Sequence, residues 1–199
     1  DGNCMNCHNF CANDPDNMVF HMRVGAGSGT YISVDGKWSK VNLKTEFNAG
    51  GAYPSWHPNG KKIAFSVNSL TMFYHSVGES RDVLDRTSDL FVYDVETNVI
   101  STAPPIADIN RMETFPAWSA DGRHLYFCAA QPLEEYIDEQ TQDLSYDHIR
   151  YDLMRADYDI ESDEWGHAEV IVPAQKTTAS AILPRPSPDG KYVLFTMAR

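Results

Sequence analysis

The strongest constraint on this chain is a thirteen-residue pattern that occurs three times without gaps. It reads Pro54-Ser-Trp-His-Pro-Asn-Gly-Lys-Lys-Ile-Ala-Phe-Ser66, then Pro116-Ala-Trp-Ser-Ala-Asp-Gly-Arg-His-Leu-Tyr-Phe-Cys128, then Pro184-Arg-Pro-Ser-Pro-Asp-Gly-Lys-Tyr-Val-Leu-Phe-Thr196. Each copy has a short extended entry, an Asn-Gly or Asp-Gly pair, a basic residue and an apolar strand. Asn59-Gly60, Asp121-Gly122 and Asp189-Gly190 supply the positive φ that a tight strand-to-strand turn requires. Pro54, Pro116 and Pro184 are expected to stop the preceding segment from continuing as helix or central strand. Three agreements of this length do not arise easily by chance.

Further strand pairs lie between the copies. Asp89–Asn98 runs from an apolar strand into a polar turn, and Val99-Ile100 begins the next strand. Tyr151–Asp157 and Ala168–Val172 repeat that arrangement around the turn-rich Ile160–Gly166. Ahead of the first copy, Thr30–Val34 and Lys37–Leu43 flank Asp35-Gly36 and predict a hairpin. Met18–Arg23 is one more short strand, followed by a glycine-rich linker, Gly25–Gly29.

An entry strand, a turn, an apolar strand and an outer hairpin together make about four antiparallel strands, which is a propeller blade. The fold expected is therefore all-β, a β-propeller of four-stranded antiparallel blades. The interval from Gly60 to Gly122 is 62 positions and that from Gly122 to Gly190 is 68, against roughly 40–45 in compact propellers. The excess falls near 71–87 and 131–150, as insertions expected on one binding rim. Two full units and two incomplete flanks, about three blades in all, predict one sector of a larger propeller. Either more of the same chain or an associated chain would complete it. The division expected is a lead segment, 1–17, and a partial propeller, 18–199.

A formal charge of −12 excludes the basic footprint that a nucleic-acid partner needs. No apolar run approaches the roughly 18 residues of a membrane span. The chain opens on polar residues with no apolar leader, which fits a processed chain as well as a cytoplasmic one.

Within the lead segment, Cys4, Cys7 and His8 spell Cys-x-x-Cys-His, the attachment signature of a c-type haem. Two thiols at this spacing add to the two vinyl groups, and the next residue supplies the proximal ligand to iron. For the distal ligand, His21 and Met22 stand on opposite faces of a strand. His21 would give a lower-potential bis-His centre and Met22 a higher-potential one; His21 is preferred. A lead segment of about seventeen residues is too short to enclose a haem. Its exposed edge would favour electron transfer. Two alternatives stand beside haem. Cys4, Cys7 and Cys11 form a zinc set that His21 or His57 could complete, since adjacent Cys7 and His8 do not readily serve one ion. The thiols could also form a disulfide. Cys11 and Cys128 remain if haem takes the first pair, and Cys128 reads as a small buried hydrophobe after Leu125–Phe127.

The acidic stretches Leu133–Asp143 and Asp157–Glu164 lack calcium-loop spacing and read as solvated loops. No nucleophile-elbow, zinc-protease or phosphate-loop pattern is present, so nothing in the chain points to an enzyme. His57 and His124 read as surface residues, and the repeat-equivalent Trp56 and Trp118 as packing between blades.

Pro116-Ala-Trp-Ser-Ala-Asp-Gly-Arg and Pro184-Arg-Pro-Ser-Pro-Asp-Gly-Lys resemble the repeat of TolB-like β-propellers, centred on Pro-x-Trp-Ser-Pro-Asp-Gly-Lys. The departures are His57 for Ser, Ala120 for Pro and Pro186 for Trp. With Asn3–Phe10 and Met18–Arg23, the chain is similar to a group of bacterial envelope proteins in which Cys-x-x-Cys-His leads into such a propeller. The resemblance implies a periplasmic or envelope location. The function expected is a haem-bearing propeller for electron transfer or redox-partner docking. The alternative is a non-enzymatic module that binds protein or glycan, its cysteines holding zinc or a disulfide.

Overall fold

The computed structural model describes residues 4–45, 50–73, 77–78, 82–138, 140 and 144–199. The rest of the two expected insertions, in 74–81 and 139–143, lies outside the described residues. Fourteen strands are described: β1 (Cys4–Cys11), β2 (Asp14–Arg23), β3 (Gly29–Val34), β4 (Lys37–Val41), β5 (Ala52–Trp56), β6 (Lys62–Phe73), β7 (Asp82–Asp94), β8 (Ile100–Ser101), β9 (Met112–Trp118), β10 (His124–Ala130), β11 (Asp152–Asp159), β12 (Glu164–Val172), β13 (Ser180–Pro186) and β14 (Val193–Ala198). They form three four-stranded antiparallel meanders, β1–β4, β5–β8 and β9–β12, followed by the hairpin β13–β14.

The protein is all-β and of propeller type. The first strand of each sheet packs beside the first strand of the next, β1 on β5, β5 on β9 and β9 on β13. These four are the inner strands, and the sheets radiate from them as blades. Apolar residues alternate along each strand and so serve two interfaces. Ile63, Phe65, Phe91 and Tyr93 meet Cys11, Val19 and Ile32 of the first blade. Ala64, Leu90 and Val92, on the other face of the same sheet, meet Leu125, Phe127, Met154 and Tyr158 of the third. Trp56 and Trp118 are buried at these two interfaces, as expected of packing residues.

Three expectations change. The first blade is complete, because Cys4–Cys11 is its inner strand, and the boundary expected between residues 17 and 18 lies inside β2. The glycine-rich segment is a single 3₁₀ turn, Gly25–Gly27, with Gly29 already in β3. The repeat prolines do not end a strand. β5, β9 and β13 run through Pro54, Pro116 and Pro184, each across a break in register. A bulge leaves ladder positions unpaired, so the missing proline N–H costs nothing there.

The bulge recurs in all four inner strands, and each time the residue at its start has left-handed φ. Those residues are Cys7 (φ 49°), Tyr53 (48°), Phe115 (55°) and Leu183 (56°). Aligned on them, Asn6-Cys7-His8-Asn9-Phe10-Cys11 is a fourth copy of the repeat. His8 takes the proline position, Phe10 the tryptophan position and Cys11 the position of His57, Ser119 and Ser187.

Hydrogen bonds confirm the alignment. Asn9 Oδ1 accepts from the Trp56 N–H at 2.8 Å, and Ser55 Oγ from the Trp118 N–H at 3.0 Å. Cys11 Sγ donates to the His57 carbonyl at 3.6 Å, as His57 Nε2 bonds the Gly122 carbonyl at 3.0 Å. His57, expected at the surface, is 1% exposed and wedged between the second and third blades, its ring edge-on to Trp118. Gly122 makes room for it: at φ 72°, a Cβ there would lie 2.3 Å from the imidazole.

Candidate functional site

The inner strand of the first blade borders a cleft between the first and second blades, of about 860 Å³. Cys7 and His21 both line it. Their proximity follows from register: Asn6 pairs with His21 and Cys4 with Arg23, and directly opposed residues share a face of the sheet. Cys4, Asn6, His21 and Arg23 therefore lie on the cleft side of β1 and β2. Met22 pairs with Met5 on the other side. Of the two distal candidates, only His21 faces the cleft.

The bulge decides what Cys7 and His8 can do together. In a flat strand, adjacent residues point to opposite faces. Here Cys7 and His8 fall in the break between the Asn6–His21 and Asn9–Val19 pairs, so alternation is interrupted between these two residues. Cys4 and His8 are exposed and Cys7 is half-buried. The His8 ring meets Phe10 edge-on at 6.1 Å. Cys7 thus lines the cleft and Cys4 lies on the same side of the sheet, two accessible thiols that fit a covalently attached group, whereas His8 sits beside Phe10, outside the cleft lining.

Charge sets this cleft apart. In a chain of net charge −12, its lining includes Arg23, Lys40 and Lys44 and, among the described residues, no carboxylate. His21 Nδ1 is 3.3 Å from Thr30 Oγ1, which orients the ring. Burial and the Arg23 charge hold the His21 imidazole below its ordinary pKa, favouring the neutral form that ligates metal.

Cys11 stands apart from Cys4 and Cys7. It is buried in the core between the first two blades, and burial raises its thiol pKa. Among the described residues, no group of three His, Cys, Asp or Glu side chains is placed to hold a metal ion. All four cysteines are free thiols. Cys128 is fully buried within β10, its thiol pushed up to about 12 by burial. His124 is partly exposed and paired with Asp157 at 2.9 Å.

The described parts of the two insertions meet on one rim. The first lengthens β6 and β7, and the second forms 3₁₀ turns at Leu133–Tyr136 and Tyr146–His148. Leu84 from the first packs with Leu133 and Ile149 from the second. Asp85, Tyr151 and the basic cleft lining were not singled out by sequence reasoning. They acquire meaning only when blades are placed side by side.

No protein-family description matches the chain, and no curated protein does. Three solved structures are similar in part. A TolB-type protein of Agrobacterium tumefaciens is 17% identical over 98% of this chain and 70% of its own, with a TM-score of 0.39. An acylaminoacyl peptidase is 15% identical over 92% of this chain and 30% of its own, with a TM-score of 0.44. The tricorn protease is 13% identical over 98% of this chain and 22% of its own, also at 0.44. The blades described above, rather than these scores, establish the propeller type. No helix among the described residues is long and apolar enough to cross a membrane.

Proposed function

We propose that this chain is the haem-bearing sector of an envelope β-propeller that exchanges electrons with a docked partner. One observation carries the reading: Cys-x-x-Cys-His lies at the bulge of an inner strand, beside a basic cleft that Cys7 shares with His21. Cys4 and Cys7 would each add an S–H across a vinyl group. The sulfur bonds one carbon and the proton goes to the other, so no oxidant is needed. The residues that would hold the iron are His8, supplied by the motif, and His21, supplied by the cleft. The bound group supplies reversible one-electron chemistry. Arg23, Lys40 and Lys44 offer positive charge to the carboxylates of a porphyrin edge. The cleft is open to solvent, which would let a partner approach the bound group. The zinc set of Cys4, Cys7 and Cys11 is less well supported, since the Cys11 thiol is buried and bonded to the His57 carbonyl.

The outer face of the first blade supports docking of a further blade, from more of the same chain or an associated one. Met5, Phe10 and Trp38 are 66%, 40% and 51% exposed. Phe10 holds the position at which Trp56 and Trp118 pack on a preceding blade.

The test is expression with a cytochrome c maturation system, followed by intact mass and a pyridine haemochrome spectrum. The expected result is one covalent haem, absent from the Cys4→Ser/Cys7→Ser variant. An unmodified mass with no Soret absorption would exclude the reading. Retained folding and partner binding in such a protein would favour the non-enzymatic binding module, whose observation is the rim formed by the two insertions.

A further inference from the structure

A second pocket, of about 350 Å³, lies where the inner strands β5, β9 and β13 meet beneath the two insertions. Tyr53, Phe115, Tyr146 and Tyr151 line it, and its one carboxylate among the described residues is Asp85. Tyr53 and Phe115 are the left-handed bulge residues of adjacent blades. That conformation brings their rings to 4.6 Å.

Asp85 is half-buried and held in place. Asn68 Nδ2 donates to Oδ1 at 3.1 Å and the Tyr151 hydroxyl donates to Oδ2 at 3.2 Å. Asn68 is itself fixed: Ser66 Oγ donates to its Oδ1 at 2.6 Å, and its Nδ2 also reaches Thr114 Oγ1 at 3.2 Å. Asn68 and Tyr151 are neutral, and among the described residues no basic side chain pairs with Asp85. Among the described residues these two hydrogen bonds leave half of the carboxylate's accepting capacity unused. A fixed, partly desolvated carboxylate among aromatic rings is complementary to a cation that can donate hydrogen bonds.

The geometry points to a recognition site for a primary ammonium group on an aliphatic stem, with the ammonium at Asp85 and the stem against Tyr53, Phe115 and Tyr146. The acidic balance of the chain favours such a ligand. The site adjoins the Cys7 cleft, sharing Tyr53 and Leu70 with it, but its carboxylate, Asp85, is outside that cleft's lining, and the recognition does not depend on haem. A free alkylamine and a lysine side chain share the chemistry.

Calorimetric titration of the chain with 1,5-diaminopentane and with Nα-acetyl-lysine methylamide tests it, with 1-pentanol and choline as controls. Saturable binding of either amine, at least tenfold tighter than both controls, is expected. Binding of the diamine alone identifies a free alkylamine as the ligand, and binding of the lysine derivative identifies a peptide. Asp85→Asn, the isosteric change, should weaken binding at least tenfold with an unchanged circular dichroism spectrum. Tyr146→Ala, at an exposed ring, gives the same reading if Asp85→Asn does not fold. The proposal is overturned if neither amine binds. It is equally overturned if choline binds as tightly, or if the folded variants bind like the parent.

Discussion

Asn9 Oδ1 accepts the backbone N–H of Trp56 at 2.8 Å, the same inter-blade bond that Ser55 makes to Trp118. Together with the Cys11 Sγ bond to the His57 carbonyl, this contact ties the Cys-x-x-Cys-His strand to the second blade, since it exists only if that segment is an inner strand. Asn9→Ala leaves the Trp56 N–H without its partner at a packed interface. The expected loss of stability is about 1–3 kcal/mol, measured by urea unfolding. Asn9→Ser, which restores the residue type used by the second blade, should recover part of it. An Asn9→Ala protein as stable as the parent would place this segment outside the blade.

His57 makes stability depend on pH in a stated direction. Burial lowers its pKa below the ordinary 6.5, outweighing the hydrogen bonds to Gly122 and Asn59 that raise it. The unfolded chain therefore takes up a proton near pH 6.5 while the folded chain resists it. The His57 contribution is complete above 6.5 and is lost as pH falls through the folded value. His57→Ser, which introduces the residue found at this position in the two later repeats (Ser119 and Ser187), should flatten the decline in melting temperature between pH 7 and 5. An unchanged slope would assign the acid response to other groups.

Glu113 acts in the opposite sense. It is 1% exposed, its Oε1 accepts the Asp108 N–H at 3.2 Å, and its Oε2 is buried without a hydrogen-bond partner. Burial, with the nearby Asp89 and Asp108 charges adding to it, raises its pKa from 4.5 to about 8. Between those values the folded state keeps a proton that the unfolded state releases, so stability falls as pH rises from 4.5 to 8. Glu113→Gln keeps the shape without the ionisable proton. It should stabilise the fold by on the order of 1–3 kcal/mol at pH 8 and abolish this alkaline slope. A destabilising effect at pH 8 would show that the carboxylate is paired.

The propeller was legible because its repeat is carried by residues with a local mechanism. Asn59-Gly60, Asp121-Gly122 and Asp189-Gly190 specify turns wherever they occur. The first blade was not legible as a complete unit. Cys7, His8 and Phe10 replace the Tyr-Pro and Trp of the second copy, and Ala12-Asn13 replaces the Asn-Gly turn. Phe10 at the tryptophan position was the remaining signal. His57 was misread because a histidine in a turn is ordinarily solvated, and its burial is imposed by Gly122 of another blade. The Cys7–His21 cleft was half legible. Strand alternation separated His21 from Met22, but only the β1–β2 register selects the one beside Cys7.

Thiol accessibility distinguishes the two pairs of cysteines without reference to any bound group. Cys4 is exposed and Cys7 half-buried at the cleft, whereas Cys11 and Cys128 are buried, with thiol pKa values raised by burial. A thiol reagent reacts with an accessible thiolate, so burial and a raised pKa both slow Cys11 and Cys128. In protein expressed without haem, two thiols should titrate under native conditions and all four in denaturant. Peptide mapping should assign the fast pair to Cys4 and Cys7. Rapid native labelling of Cys11 would mean that β1 detaches from the second blade. It would also restore the zinc set of Cys4, Cys7 and Cys11 as a contender. In haem-loaded protein the fast pair should be absent, because its sulfurs are in thioethers, while Cys11 and Cys128 should still appear in denaturant. The pattern therefore reports the state of the Cys-x-x-Cys-His segment and the integrity of the first blade in one experiment.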